Sequence, residues 1–169
     1  FSDGQLSPEA LIERAVIQEV THLALTDHDT LLGLPRAKAA AVDLPITLID
    51  GVEVSCTWRN QTLHILGLNV DVNNQEMLTC FEGVKQKRLD RAEKIAAKLT
   101  KIGITGLREN VIDRAKGIVG RLHFANYLVE KGLAKAPGKA FNAYMKRGKP
   151  GYVRCEWMSM PDAVALILQ

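Results

Sequence analysis

Four residues of types that bind divalent metal ions recur at the ends of predicted elements: Asp3, His28, Glu53 and His64. Asp3, His28 and Glu53 follow one another at intervals of 25 residues, and His64 comes 11 residues later. In a barrel of strand–helix units, about 25 residues make one unit, so the first three side chains are predicted to share the carboxyl-terminal rim of the sheet. Carboxylate and imidazole ligands together suit Mn²⁺, Fe²⁺ or Zn²⁺. Clustered ions of this kind lower the pKa of a shared water and make hydroxide at neutral pH, so no nucleophilic serine or cysteine is required.

Individual residues of this set differ in how strongly the sequence marks them. Glu53 stands between two valines in a strand pattern, and a carboxylate buried there would need a partner. The run TDHD puts Asp27 directly before His28, which predicts that Asp27 orients the imidazole as a supporting group. Two alternatives stay open, since Asp3 could belong to a turn with Gly4 and His64 could be a hydrogen-bonded histidine of the core.

The relation between Glu53 and His64 depends on the length of one loop. Residues 52–58 and 62–70 alternate between apolar and polar side chains on either side of Arg59 and Asn60, which predicts a β-hairpin of two strands. A two-residue loop would pair Ser55 with His64 and put Glu53 and His64 on one face, about 7–8 Å apart at the backbone. A three-residue loop would put the two side chains on opposite faces.

Helix and strand patterns alternate in the first part of the chain and give way to helices after residue 73. The alternation predicts an α/β sheet or barrel. Ser7 and Pro8 are typical of a helix start, and strands are predicted at 22–26 and 46–49. A long helix is predicted to end at Gly103, followed by helices over 109–116, 121–131 and 139–147. We therefore expect the first part of a barrel at 1–74, a helical insertion at 75–150, and a truncated return to the barrel at 151–169.

Charge is distributed unevenly between these parts. Residues 1–84 hold 4 Lys+Arg and 12 Asp+Glu, whereas residues 85–154 hold 18 and 5, and such a basic segment is expected to attract a polyanion. Arg88, Arg91 and Arg121 are predicted to bind phosphate, because guanidinium groups bind phosphate in bidentate fashion. The lysines between them could simply form a solvated helix surface. His123 could bind substrate or donate a proton to the leaving group, and helix packing is an equal alternative.

Composition excludes several other classes of protein. No apolar run approaches the length of a membrane span. The three cysteines are far apart, which indicates thiols in a reducing cytoplasm rather than a zinc site or disulfides. Aromatic residues make up 5% of the chain, which argues against a platform dedicated to single-stranded nucleic acid. The chain begins in what resembles the middle of a domain and ends inside a helical pattern, so we expect a fragment of a longer protein.

The motifs resemble, in order and interval, those of the PHP (polymerase and histidinol phosphatase) superfamily. They are SDG at 2–4, TDHD at 26–29, GVEVS at 51–55 and HILG at 64–67. The segments GRLHFA at 120–125 and Tyr144…Gly151-Tyr152-Val153 resemble the helical insert of its nucleoside 3′,5′-bisphosphate phosphatase and 5′→3′ exoribonuclease branch. The resemblance covers the whole chain. It implies an α/β fold, specifically part of a distorted (β/α)7 barrel with an α-helical insertion.

The resemblance also implies a ligand set and an activity. The implied metal ligands are Asp3, His28, Glu53 and His64, with Glu53 bridging two ions. The site would hold two or three ions, often Mn²⁺. Zn²⁺ and Fe²⁺ are the alternatives. The HxH, AHP and DxH motifs of the family are missing from this chain, so the fragment alone could be inactive. The candidate residues for binding substrate are Asp29, Arg88, Arg91 and Arg121, and His123 is the candidate catalytic residue.

The implied function is a metal-dependent phosphoesterase. It would use metal-activated water to hydrolyse nucleoside 3′,5′-bisphosphates, short 5′-phosphorylated oligoribonucleotides, or both. The expected partner is therefore a phosphorylated nucleotide or short RNA, with no membrane involved. Two alternatives stay open: a histidinol-phosphate phosphatase, and a PHP module that binds polyanions without catalysis.

Overall fold

The computed structural model describes Ser2, residues 4–115 and residues 117–169. These residues form two compact units: unit 1 runs up to Gly83 and includes Glu156–Gln169, and unit 2 is Val84–Cys155. The helices are α1 (Pro8–Ile17), α2 (Leu34–Ala41), α3 (Gln75–Thr100), α4 (Arg121–Glu130), α5 (Pro137–Ala140) and α6 (Met160–Ile167). The strands are β1 (His22–Leu25), β2 (Thr47–Trp58), β3 (Gln61–Leu68) and β4 (Met158–Ser159). No described helix is both long enough and apolar enough to cross a membrane.

Unit 1 is built on a four-stranded mixed sheet in which β2 is the central strand. β1 lies parallel to the first residues of β2, β3 lies antiparallel to the rest of it, and β4 pairs in parallel with its last part at Cys56 and Thr57. Val52, Val54 and Cys56 point to one face of β2 and are fully buried in the core of unit 1. The expected α/β class is therefore confirmed, whereas closure into a barrel stays a prediction.

The central strand is longer than the sequence indicated. Separate strands were expected at 46–49 and 52–58, but β2 runs without a break from Thr47 to Trp58. Gly51 lies at the junction, where an added Cβ would be 2.9 Å from the carbonyl oxygen of Leu25. A glycine at this position lets the strand stay paired, so here it marks a close approach of two backbones rather than a break.

Local signals of the sequence explain how the first helix begins. Ser7 is the N-cap of α1, where its Oγ accepts the N–H of Ala10, and Pro8 occupies the first helical position. Ser7 and Pro8 are common at these positions because the hydroxyl satisfies an orphan N–H and proline lacks one. The helix start predicted at Ser7 and Pro8 is confirmed.

Unit 2 is helical and has its own core. α3 begins in unit 1, where Met77 and Phe81 join the core, and continues into unit 2, where Leu99 packs with Phe124 and Leu128. The units therefore meet in the chain at 83/84 and 155/156, whereas the division into barrel and insertion at 74/75 and 150/151 stays a prediction. The helix predicted at 109–116 is a single π-helical turn, Arg108–Ile112, and the helix predicted at 139–147 is α5 continued by a π-helical turn, Phe141–Met145.

Candidate metal centre

His28 is brought next to Glu53 by the backbone beyond the end of β1. The N–H of Glu53 donates to the carbonyl oxygen of Asp27 (3.0 Å), and the N–H of Asp29 donates to that of Glu53 (3.0 Å). These two hydrogen bonds make an isolated parallel bridge between His28 and Glu53. Paired residues in a sheet project to the same face, so the two side chains lie side by side.

His64 reaches the same face through the hairpin. Arg59 and Asn60 both adopt left-handed conformations (φ 46° and 63°) and form a two-residue turn, as the favoured hairpin turns do. In the resulting register Ser55 pairs with His64. The register predicted for a two-residue loop is confirmed, and the three-residue alternative is wrong.

The three side chains converge. Nδ1 of His28 lies 3.5 Å from Oε2 of Glu53, and Nδ1 of His64 lies 3.8 Å from Oε1 of Glu53. The two imidazole ring centroids are 4.6 Å apart, and one ligand atom from each of the three residues lies within 4.8 Å of the others. This spacing would let one ion contact all three donors.

The chemistry of this donor set fits a divalent cation. Two imidazoles and a carboxylate suit first-row metals such as Mn²⁺, Fe²⁺ and Zn²⁺ better than metals selected by thiolates. The side chains of His28, Glu53 and His64 are 16%, 28% and 35% exposed. The cluster is therefore open enough for an ion and a further ligand to reach it.

Ser55 lies on the same face of β2 as Glu53, although the sequence motifs did not mark it as a site residue. It is fully buried, and its Oγ lies 3.3 Å from Nδ1 of His64. The hairpin register alone places Ser55 opposite His64, so a signal was present in the sequence. An uncharged serine in a strand does not by itself indicate a metal site, whereas a buried carboxylate does.

Comparison with known proteins identifies the family of this chain. Residues 1–144 match the PHP domain family. This chain belongs to the PHP domain family. The resemblance drawn from the sequence motifs is thereby confirmed.

Similar proteins are found among curated relatives and solved structures. A 5′-3′ exoribonuclease of Haemophilus influenzae is 42% identical over 166 residues, which cover 98% of this chain and 61% of the relative. A 3′,5′-nucleoside bisphosphate phosphatase of Chromobacterium violaceum is 38% identical over 169 residues, covering 99% and 59%. An amidohydrolase structure from the same organism, with bound sulfate and no metal, has a TM-score of 0.94 at 38% identity and covers 99% of this chain and 60% of that one. A provisionally described metal-dependent phosphoesterase from Bifidobacterium adolescentis has a TM-score of 0.91 at 25% identity, covering 99% and 59%. The PHP domain chain thus spans 59–61% of these relatives' lengths.

The other residues predicted for the site of this PHP domain in unit 1 have different surroundings. Asp3 lies outside the described residues. Asp27 supports Glu53 through its backbone carbonyl, while its side-chain Oδ1 accepts the Ser2 hydroxyl (2.8 Å). Asp29 is fully buried, and its Oδ1 accepts the N–H of Ser55 (2.7 Å). This burial does not fit the substrate-binding role predicted for Asp29, because the carboxylate turns into the sheet.

The remaining predicted residues, Arg88, Arg91, Arg121 and His123, belong to unit 2. Arg88 and Arg91 are only 5% and 8% exposed, so they differ from the exposed lysines around them. The guanidinium carbon of Arg121 lies 5.0 Å from the centre of the Phe141 ring, which is a cation–π distance. Nδ1 of His123 accepts the N–H of Gly120 (3.1 Å) at the start of α4. Their roles in binding or catalysis stay predictions.

Proposed function

We propose that this PHP domain is part of a metal-dependent phosphoesterase that hydrolyses nucleoside 3′,5′-bisphosphates, short 5′-phosphorylated oligoribonucleotides, or both. The observation that carries the proposal is the convergence of His28, Glu53 and His64 on one open face of the sheet. The activities named for the similar proteins of Haemophilus influenzae and Chromobacterium violaceum support the choice of substrate.

In this proposal His28, Glu53 and His64 hold the metal, with Asp3 as a further ligand. Two or three ions are expected in the full-length protein, Mn²⁺ first, with Zn²⁺ and Fe²⁺ as alternatives. Divalent ions bound there would supply an activated water and positive charge against the phosphoryl oxygens. Glu53 would keep the two imidazoles together, since its two oxygens face one ring each.

Unit 2 supports the choice of a highly anionic substrate. Its range holds 18 Lys+Arg and 5 Asp+Glu, which attracts phosphorylated ligands and raises their local concentration. Arg88, Arg91 and Arg121 are the proposed phosphate-binding residues. Because Nδ1 of His123 accepts a backbone N–H, the neutral ring carries its proton on Nε2, and that N–H is available to donate to a leaving oxygen.

We also propose that the protein is located in the cytoplasm. Cys56, Cys80 and Cys155 are all thiols, as expected for a protein in a reducing compartment.

A substitution at Glu53 tests the proposal. We would measure phosphate release by the full-length protein with Mn²⁺ from adenosine 3′,5′-bisphosphate and from a 5′-phosphorylated RNA trimer. Glu53→Gln should reduce the rate at least about tenfold, because it removes the charge between the two imidazoles. Glu13→Gln is the matched control, since Glu13 is an exposed carboxylate on α1 of the same unit, and it should keep the wild-type rate.

The same assay contains the outcome that rejects the proposal: equal phosphate release by wild type and Glu53→Gln. Bound metal would be counted by mass spectrometry in both proteins. Adding histidinol phosphate to the substrate panel tests the histidinol-phosphate phosphatase alternative.

A second candidate function rests on the charge of unit 2 alone. This charge is what a non-catalytic PHP module that binds polyanions would need. Wild-type protein with almost no bound metal but with retained RNA binding would favour that function.

A further inference from the structure

Asp29 forms a buried pair with Ser55, which lies on the strand that carries Glu53. The N–H of Ser55 donates to Oδ1 of Asp29 at 2.7 Å, and both residues are fully buried. The N–H of Asp29 in turn donates to the carbonyl oxygen of Glu53 at 3.0 Å. Asp29 therefore holds β2 at two points, one on Glu53 and one on Ser55.

The backbone conformation of Asp29 allows its carboxylate to accept the N–H of Ser55. Its φ is 50°, in the left-handed region that asparagine and aspartate enter more readily than most other residues with side chains. The left-handed turn comes directly after the bridge at His28 and sends the carboxylate to the backbone of Ser55. The pair is thus a consequence of local backbone geometry next to the proposed metal ligands.

The hydroxyl of Ser55 is aimed at His64. Ser55 and His64 are direct partners across the hairpin, and Oγ of Ser55 lies 3.3 Å from Nδ1 of His64. The same nitrogen lies 3.8 Å from Oε1 of Glu53, which is beyond hydrogen-bond length. Of these two oxygens, the serine hydroxyl is the one that can hydrogen-bond to Nδ1.

We propose that Ser55, held by Asp29, is a positioning residue that keeps Nδ1 of His64 on the serine hydroxyl and leaves Nε2 as the ligand nitrogen. A histidine that binds metal through one nitrogen commonly hydrogen-bonds through the other, and this second bond sets its tautomer and ring orientation. The inference rests on the proposed function, because it assumes that His64 is a metal ligand. It assigns a role to Ser55 and replaces the substrate role first expected for Asp29.

Zinc binding to the full-length protein tests the proposal, because Zn²⁺ is diamagnetic and suits this donor set. Zn²⁺ affinity would be measured by competition with a chromogenic chelator. The state of each His64 nitrogen would be read from long-range ¹H–¹⁵N spectra of histidine-labelled protein, with His64→Gln for assignment. We expect wild type to show Nδ1 protonated and Nε2 bound to Zn²⁺.

Ser55→Ala should lower the Zn²⁺ affinity about 10- to 100-fold, as loss of such a supporting partner does elsewhere, and should change the His64 spectrum. Ser55→Thr restores a hydroxyl and should recover most of the affinity. Thr57→Val is the matched control: Thr57 lies two residues along on the same face of β2, and its hydroxyl accepts the N–H of Trp157 instead of contacting a histidine. It should leave both the affinity and the His64 spectrum unchanged.

Each outcome of these measurements either supports or overturns the positioning role of Ser55. Wild-type affinity and an unchanged His64 spectrum in Ser55→Ala would overturn this inference and leave the proposed function standing. Absence of Zn²⁺ binding by the wild type, together with absence of any bound metal by mass spectrometry, would overturn both. If Ser55→Ala fails to fold, Ser55→Cys keeps the volume but offers only a weakly hydrogen-bonding thiol, and the same two measurements then decide.

Discussion

Replacing Gly51 by alanine tests how closely β1 and β2 approach beside the proposed metal centre. A Cβ at Gly51 would lie 2.9 Å from the carbonyl oxygen of Leu25, 2.9 Å from Cγ2 of Thr26 and 3.4 Å from Cβ of Ala24. The Thr26 methyl group can rotate away, but the Leu25 oxygen is part of the backbone of β1. Relief of the contact therefore requires the two paired strands to separate.

The expected cost follows from two opposing effects. Overpacking of a tightly packed site costs roughly 1–3 kcal/mol. Replacing glycine by alanine also reduces the entropy of the unfolded chain and returns roughly 0.4–1 kcal/mol. We expect the net free energy of unfolding to fall by about 1–2 kcal/mol, since the steric effect at two 2.9 Å contacts is the larger one.

Gly83→Ala is the matched control for this substitution. Gly83 is a helical residue of α3, and apart from the adjoining backbone of that helix no atom lies within 4 Å of an added Cβ. Alanine is favoured over glycine in a helix by roughly 0.5–1 kcal/mol, so the same chemical change should here raise the free energy of unfolding. The two variants are thus expected to move in opposite directions.

Urea unfolding followed by tryptophan fluorescence measures both variants. Trp58 and Trp157 are the two tryptophans of the chain, and both belong to unit 1. With a slope of about 2 kcal/mol per molar urea, a loss of about 1–2 kcal/mol moves the midpoint down by about 0.5–1 M. An alanine at Gly51 that leaves the midpoint at or above the wild-type value would refute the close approach of β1 and β2.

Three further predictions concern charge, thiol reactivity and backbone conformation. Hydrogen bonds from Arg36 lower the pKa of Glu9 from 4.5 to about 2, so this pair stabilises the fold at neutral pH and its contribution is lost as the pH falls from about 4.5 towards 2. Thermal unfolding should show Glu9→Gln less stable than wild type at pH 6, with the difference shrinking steadily down to pH 2; a constant difference would contradict this. Burial raises the pKa of the Cys56 thiol, so peptide mass spectrometry should find Cys56 alkylated by iodoacetamide only after unfolding, and rapid labelling of the native chain would disprove its burial. Gly106 has φ 73°, and an added Cβ would lie 2.6 Å from the hydroxyl of Tyr127, so Gly106→Ala should destabilise unit 2 by about 1–3 kcal/mol. Hydrogen exchange of the unit 2 amides would measure this loss of stability. Unchanged protection of these amides would contradict the prediction.

Parts of the fold follow from short-range signals that the sequence carries openly. The start of α1 is one case, because an N-cap serine and a proline at the first helical position each satisfy a specific need of a helix end. The π-helical turns Arg108–Ile112 and Phe141–Met145 are the opposite case. Their apolar residues follow nearly the same spacing as in an α-helix, so periodicity alone does not distinguish them.

The hairpin shows why the sequence left two registers open. Favoured two-residue turns commonly carry glycine or asparagine where φ is positive, and Asn60 fits this pattern. Arg59 also has a positive φ, 46°, although arginine is not a residue that favours positive φ. The register is set by the pairing of all of β3 with the second part of β2, which buries Val52, Val54 and Cys56 on one face. A slip by one residue would have exposed that face.

The difference between Glu53 and Asp29 explains which part of the site could be predicted. Glu53 alternates with buried valines, so its position on the opposite face of β2 follows from strand periodicity. Asp29 lies outside a strand, and the direction of its carboxylate depends on a left-handed φ that periodicity does not encode. Strand pairing therefore predicted which side chains could share an ion, whereas the contact from Asp29 to Ser55 depends on a single backbone turn. Supporting residues of this kind become visible only when the geometry of that turn is known.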